Sequence, residues 1–447
     1  MRRVGDYISD LWFWLRDHPL PVLGGLVAVA AVGAGIYLLV TEVISDEESA
    51  RAPAPQAVIQ KVDSGEDEAN DLGFPAFATK NTTRVAGADP IADAAATALA
   101  VFPSTGGIEG PRAVSLVDSE DWASAVAASS LVAGPVGAPV LLTDGGEMPD
   151  VTALALRALA PRGWAAIDDR QAFRIGAAAK PEGLRSLDVD DGNPAEVAAE
   201  IDRLRGRLTG AEPEHILVVS SNEPSFAMPA AAWAARSGDP VLFVTRRSVP
   251  KPTLDALKGH EDVPVYVLGP TSVVPKKVFD AINDAAPGTK RVAGPDPVQS
   301  AIAFARYTDG TFGWNINDPG HGFVVASADR PADAGAASPL SASGTWGPLL
   351  VTEDGAELPP ALRGYLLDVK PGYLGDPTRA FYNHVWIIGD QDAISVGFQA
   401  QVDELAELAQ VKSGSGTSTL GPPPGVPDAE SPNEAPGRNQ SSNQGNP

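Results

Sequence analysis

Pro139-Val-Leu-Leu-Thr143, Pro240-Val-Leu-Phe-Val-Thr245 and Pro348-Leu-Leu-Val-Thr352 are three versions of one element, spaced 101 and 108 residues apart. Each is a short apolar run without polar alternation, preceded by proline and closed by threonine. Such a run fits a strand buried on both faces, as in a parallel sheet covered by helices. Outward from it, the same neighbours recur in the same order. Upstream lies a second buried strand: Ala113-Val-Ser-Leu-Val117, His215-Ile-Leu-Val-Val-Ser220 and Gly322-Phe-Val-Val-Ala-Ser327. A helix of small residues separates the two strands. Downstream, an apolar run reaches a glycine at Gly176, Gly269 and Gly389. At the head of each copy, Asp89-Pro90, Asn193-Pro194 and Asp296-Pro297 open an Ala-rich helix. An acidic or amide N-cap followed by proline at the first helical position is a helix start with a mechanism.

These N-caps are spaced 104 and 103 residues apart, so two independent marks agree on one period. The chain from 81 to 411 therefore reads as a threefold α/β repeat: 81–183, 184–288 and 289–411. The third copy carries an insertion around residues 371–385.

In order and motif the copies resemble the cell wall-binding repeat type 2 family, found in three tandem copies on surface proteins of Gram-positive bacteria. Thr83-Arg84-Val-Ala-Gly87-Ala-Asp89 and Arg291-Val-Ala-Gly294-Pro-Asp296 match its opening. Asp333-Ala-Gly-Ala-Ala-Ser-Pro339-Leu340 matches its middle, and the first and third proline-led strands match its fourth element. There are departures. The family's Arg-Tyr after the acidic residue is Pro90-Ile91 and Pro297-Val298 here, and its middle aspartate is Ser124 and Ala227 in the first two copies. Its terminal Gly-Gly has become Gly176-Ala177, Gly269-Pro270 and Gly389-Asp390.

The resemblance implies an α/β fold of three Rossmann-like parallel-sheet repeats in a pseudo-threefold arrangement. It also implies non-covalent binding to an anionic secondary polymer of the wall. Ligands of open parallel sheets sit beyond the strands' carboxyl ends, where Thr143, Thr245 and Thr352 fall. The expected contacts are these threonines with Arg84, Arg291 and Asp333. The competing expectation is that the threonines cap their own turns and the arginines pair inside the repeat.

Residues 20–40 form 21 consecutive residues without a charge, enough to span a bilayer core. A cleaved signal peptide fits less well, because the run is too long and Ala50-Arg51-Ala52 lies ten residues beyond it. Arg2, Arg3 and Arg16 precede the span, whereas Glu42, Asp46, Glu47 and Glu48 follow it. Residues 1–19 are therefore expected inside the cell and the main body outside, in a single-pass cell-membrane protein. Residues 41–80 hold nine acidic and three basic side chains and read as an extended linker. Residues 412–447 read as a disordered tail.

The 447-residue chain has 57 acidic and 33 basic side chains, net −24, which excludes a general nucleic-acid binder. The absence of cysteine excludes thiol catalysis and disulfides. The five histidines are dispersed, with no zinc spacing. No nucleophile elbow, phosphate loop or dinucleotide fingerprint occurs in the body, so no catalytic residue, metal or cofactor is assigned. Glu120-Asp121 and Glu353-Asp354 read as solvated charge rather than glycosidase pairs. Asp188-Val-Asp190-Asp191-Gly192 lacks the spacing of a calcium loop. Trp314, in a Gly/Asn/Asp-rich loop, is the aromatic best placed to stack on a sugar, although packing competes.

The leading expectation is a membrane-anchored, extracytoplasmic wall-binding protein. With 42 acidic and 25 basic residues in 81–411, an anionic polymer would need a local or cation-bridged site. The alternative is a surface scaffold whose degenerate repeats dock an envelope protein; a glycan hydrolase is a weaker third.

Overall fold

A computed structural model describes residues 77–85, 87–102, 110–189, 192–342 and 347–411. Strands β1 (Phe77–Ala78) and β2 (Thr82–Val85) lead into helix α1 (Pro90–Val101). Then come β3 (Val114–Asp118), α2 (Trp122–Ala128), β4 (Val140–Thr143), α3 (Asp150–Leu159), β5 (Ala172–Ile175) and β6 (Ser186–Val189). The order recurs as α4 (Pro194–Thr209), β7 (Ile216–Ser220), α5 (Pro224–Ser237), β8 (Val241–Val244), α6 (Lys251–Gly259), β9 (Val265–Leu268), α7 (Lys276–Ala285) and β10 (Lys290–Val292). The third pass is α8 (Pro297–Arg306), β11 (Gly322–Ser327), α9 (Asp333–Ala342), β12 (Leu349–Thr352), α10 (Pro360–Asp368), β13 (Gly372–Tyr373), β14 (His384–Ile388), α11 (Val396–Ala406) and β15 (Ala409–Gln410).

The three helix starts form as the sequence dictates. Asp89 accepts a hydrogen bond from the Ala92 amide at 2.8 Å, and Asp296 accepts one from Gln299 at 2.7 Å. Asn193 makes a reciprocal capping box with Glu196.

Apart from the short parallel pair β13-β15, the strands form three sheets of one order: β4-β3-β5-β6, β8-β7-β9-β10 and β12-β11-β14-β2, with β1 added antiparallel at the last edge. In each, the proline-led strand lies at one edge and the glycine-ended strand is third. The fourth strand changes how the repeats divide. Strands β6 and β10, which the sequence places at the heads of the second and third copies, complete the preceding sheets. Strand β2, at the head of the first copy, crosses to the third sheet, where Val385 pairs with Thr82 and Ile388 with Val85. The third sheet is thus closed by the N-terminal part of the body. Apolar pattern specifies a strand but not its neighbour, and helix crossovers decide on which sheet it lands.

Residues 77–80, read as the end of the linker, also lie in the fold. The Asn81 amide donates to Asp403 at 2.8 Å, and Lys80 pairs with Glu407 at 2.7 Å. Asn81, which begins an Asn-x-Thr pattern, is 6 % exposed and donates its side-chain amide to the Asp403 carbonyl.

Helices α2, α5 and α9 consist largely of alanine, serine and other small residues and pack on one another. Small side chains let helix axes approach closely, which explains why this helix is Ala-rich in every copy. The strand interiors are largely apolar and covered, as in Leu217, Val218, Phe243 and Val325. The expected intracellular segment, membrane span and tail, and the linker up to residue 76, lie outside the described residues. Among the described residues no helix is long and apolar enough to cross a membrane.

Candidate functional site

At the carboxyl edge of each sheet lies the turn that follows the proline-led strand, called its mouth below. The threonines expected to receive ligand there are occupied. Buried Thr143 donates to the Gly145 carbonyl at 3.0 Å and accepts from the Ala179 amide at 3.2 Å. Thr352 donates to the Asp354 carbonyl at 2.6 Å. Thr245 donates to the Ser248 carbonyl at 3.1 Å and accepts from the Arg247 and Ser248 amides. A hydroxyl at the end of a strand bonds most readily to the turn it initiates. The threonines shape the mouths from beneath.

Arg84 and Arg291 are clamps on the backbone. Arg84 donates to the carbonyls of Gly389 and Asp390 at 2.8 Å each, to Ser395 at 3.3 Å and to the Gln399 side chain at 2.8 Å. Burial lowers its pKa to about 10, against the opposing pull of Asp390 and Asp93. Arg291 repeats the arrangement one sheet earlier, donating to Gly269 at 2.5 Å and Val274 at 2.8 Å while covering the Phe279 ring. In the first sheet the register position of these arginines is Asp188, and the guanidinium comes instead from Arg174 on the adjacent strand, 3.6 Å from Asp188. Arg174 reaches the Ala178 carbonyl at 2.6 Å, so the clamp survives although its residue has moved.

The motif glycine has an equally local cause. A Cβ on Gly87 would stand 2.5 Å from the Asp93 amide, and one on Gly294 2.4 Å from Gln299. The opening motif thus comprises a turn-clamping arginine, a glycine under the first helical turn, and an N-cap.

Asp333 is fully buried and sits 3.0 Å from Arg330 Nε. Arg330 also pairs with Asp93 of α1, which is likewise fully buried and accepts from the Gly87 amide at 2.7 Å. One guanidinium therefore serves two buried carboxylates where the third unit meets the first. Burial raises the Asp333 pKa to about 7, with Arg330 opposing. Burial and the Asp333 charge hold Asp93 well above the carboxylate range. The corresponding positions are Ser124 and Ala227 for Asp333, so this triad belongs to one junction only.

The remaining candidates are structural. Trp314 is 6 % exposed and packs edge-on against Trp233 at 5.5 Å, so it offers no face to a sugar. Asp121 caps α2, and Asp354 receives the Ala356 and Glu357 amides. His215 is buried between Asp239 and Thr311, and His260 is held by Asp202 at 2.9 Å and Glu212 at 2.5 Å. Among the described residues no three acidic or imidazole side chains converge as a metal site.

Sequence reasoning did not single out Arg330, Asp93 or the exposed pair Arg246-Arg247. The last had a visible signal. Arg246 directly follows the strand-closing threonine, where the other copies carry Asp144 and Glu353, and Arg247 stands where they carry Gly145 and Asp354.

No curated protein matches the sequence. Among solved structures, Cwp6 and Cwp8 from Clostridium difficile share the fold, each at TM-score 0.56 and 18% identity over 73% of this chain. The chain spans about half of theirs, 47% and 52%. Residues 192–279 and 291–399, which cover most of the second and third units, match the family described as cell wall binding domain 2 (CWB2).

Proposed function

We propose that the protein is a membrane-anchored, extracytoplasmic module that binds a secondary cell-wall polymer non-covalently and ties the membrane to the envelope. The observation that carries this reading is the match of the second and third units to a cell wall binding domain. The uncharged stretch 20–40, with arginines before it and acids after it, supports a single-pass anchor with the N-terminus inside. The acidic segment up to residue 76 would then act as a stalk and residues 412–447 as a free tail.

The full-length chain should co-sediment with purified Gram-positive wall and lose retention once secondary polymers are chemically stripped. Equal retention on both walls would refute polymer binding. A second reading, a scaffold for an envelope protein, is favoured by the internal engagement of Arg84, Arg291 and Asp333. It predicts no retention on either wall.

A further inference from the structure

The three mouths share a backbone plan but not a charge. After the proline-led strand, the first unit has Asp144 and Glu147, and the third has Glu353, Asp354 and Glu357. The second has Arg246 and Arg247 at that place. Both arginines are exposed, and the turn carrying them is fixed from below. The Asn222 side chain accepts from the Arg246 amide at 2.9 Å, and Thr245 accepts from the Arg247 amide at 3.2 Å. The two side chains therefore stand on a built turn. Arg246 has one loose, solvent-exposed partner, Glu223 at 3.6 Å, and no ion pair forms at Arg247 among the described residues. By contrast, the buried or half-buried Arg84, Arg174, Arg205, Arg291 and Arg330 all hold the fold.

A polymer bearing phosphate or carboxylate groups meets repulsion at the first and third mouths. Within a Debye length of about 8 Å it meets attraction only where cations are local. Adjacent guanidiniums can each present a planar fork to an anionic group. The first unit does hold Lys180 after β5, but as a single charge beside the acidic turn.

We infer that only the second unit contacts the polymer's anionic groups, through Arg246 and Arg247, while the acidic mouths of the first and third units exclude them. This rests on the wall-binding reading above and assigns its site. Direct guanidinium contact also replaces the need for a bridging divalent cation.

The test measures depletion of the full-length chain, kept in mild detergent, by purified Gram-positive wall carrying its phosphate-bearing polymers. Arg246→Glu with Arg247→Glu should weaken retention about tenfold or more, and added salt should erase the difference. Neutralising Glu353→Gln with Asp354→Asn should leave retention equal or stronger, and a chelator should leave wild type unchanged. If the double glutamate variant unfolds at lower urea, Arg246→Gln with Arg247→Gln replaces it, with a smaller loss expected in the same direction. Wild-type retention that the arginine variants share would overturn the assignment and leave wall binding standing. Retention abolished by chelator and by the Glu353/Asp354 variant would overturn it in favour of cation bridging. Wild type that fails to bind overturns both. Retention that survives hydrofluoric acid, which cleaves phosphodiesters, but is lost when uronic-acid polymers are also stripped would keep the assignment and make the anionic groups carboxylates.

Discussion

Replacing Asp333 by asparagine should change how stability depends on pH, because Asp333 and Asp93 share one arginine in a fully buried site. The Asp333 pKa rises from 3.8 to about 7 in the folded protein, chiefly through burial, with Asp89 and Asp390 adding to it. A folded-state pKa above the unfolded one means that the native state holds the proton more tightly. Its contribution is fully present below pH 3.8 and is lost as pH rises to about 7. At about 1.36 kcal/mol per pH unit, that rise amounts to about 4 kcal/mol over the window. Asparagine keeps the shape, never ionises, and leaves Arg330 to Asp93 alone. Relative to wild type, Asp333→Asn should therefore gain stability between pH 4 and 8, approaching about 4 kcal/mol at the upper end. Arg330→Met should do the reverse and cost about 3–5 kcal/mol at pH 8, where it leaves buried carboxylates without a cation. Urea unfolding of the full chain, followed by tryptophan fluorescence at several pH values, measures both. A difference between Asp333→Asn and wild type that stays constant from pH 4 to 8 would refute the reasoning. Because Asp333 is buried, the variant should also keep any wall retention that wild type shows.

Further outcomes follow from the same contacts. Arg84→Met should cost about 3 kcal/mol by stranding the Gly389, Asp390 and Ser395 carbonyls, measured as a lower urea midpoint with wall retention unchanged below it. Gly389→Ala should destabilise by about 1–3 kcal/mol, because φ is 96° there and a Cβ would stand 2.7 Å from Ala393 and 2.9 Å from Arg330. His260 is held charged by Asp202, then Glu212, with its pKa raised to about 9. Its contribution is present below pH 6.5 and lost as pH climbs through about 9, so His260→Gln should flatten that decline in thermal unfolding.

Much of the architecture was legible because its signals are local. Asp89, Asn193 and Asp296 cap helices through their own side chains, and Pro90, Pro194 and Pro297 fix the first helical φ wherever they stand. The runs ending at Gly176, Gly269 and Gly389 form strands because their apolar side chains, such as Phe173, Val267 and Ile387, are buried there. The site was less legible. Arg84, Arg291 and Asp333 carry charge in a motif, and charge in a sequence looks the same whether it faces solvent or a carbonyl. Trp314 sits among turn residues that suggest display, yet Trp233, about eighty positions earlier, covers it.

By itself, then, the sequence determined three α/β units, their helix starts, their proline-led strands and the acidity of the whole body. Those properties depend on neighbours within a few residues or on simple counting. The tertiary structure alone decided that β2 completes the third sheet 300 residues away, and that Arg330 bridges Asp93 and Asp333. It also decided that the first unit's clamp is supplied by Arg174, because Asp188 occupies the arginine's place. These depend on which sheet a strand joins and which groups lose water there. Burial, which turns a charge into a structural contact, is a property of the packed chain and not of any segment of it.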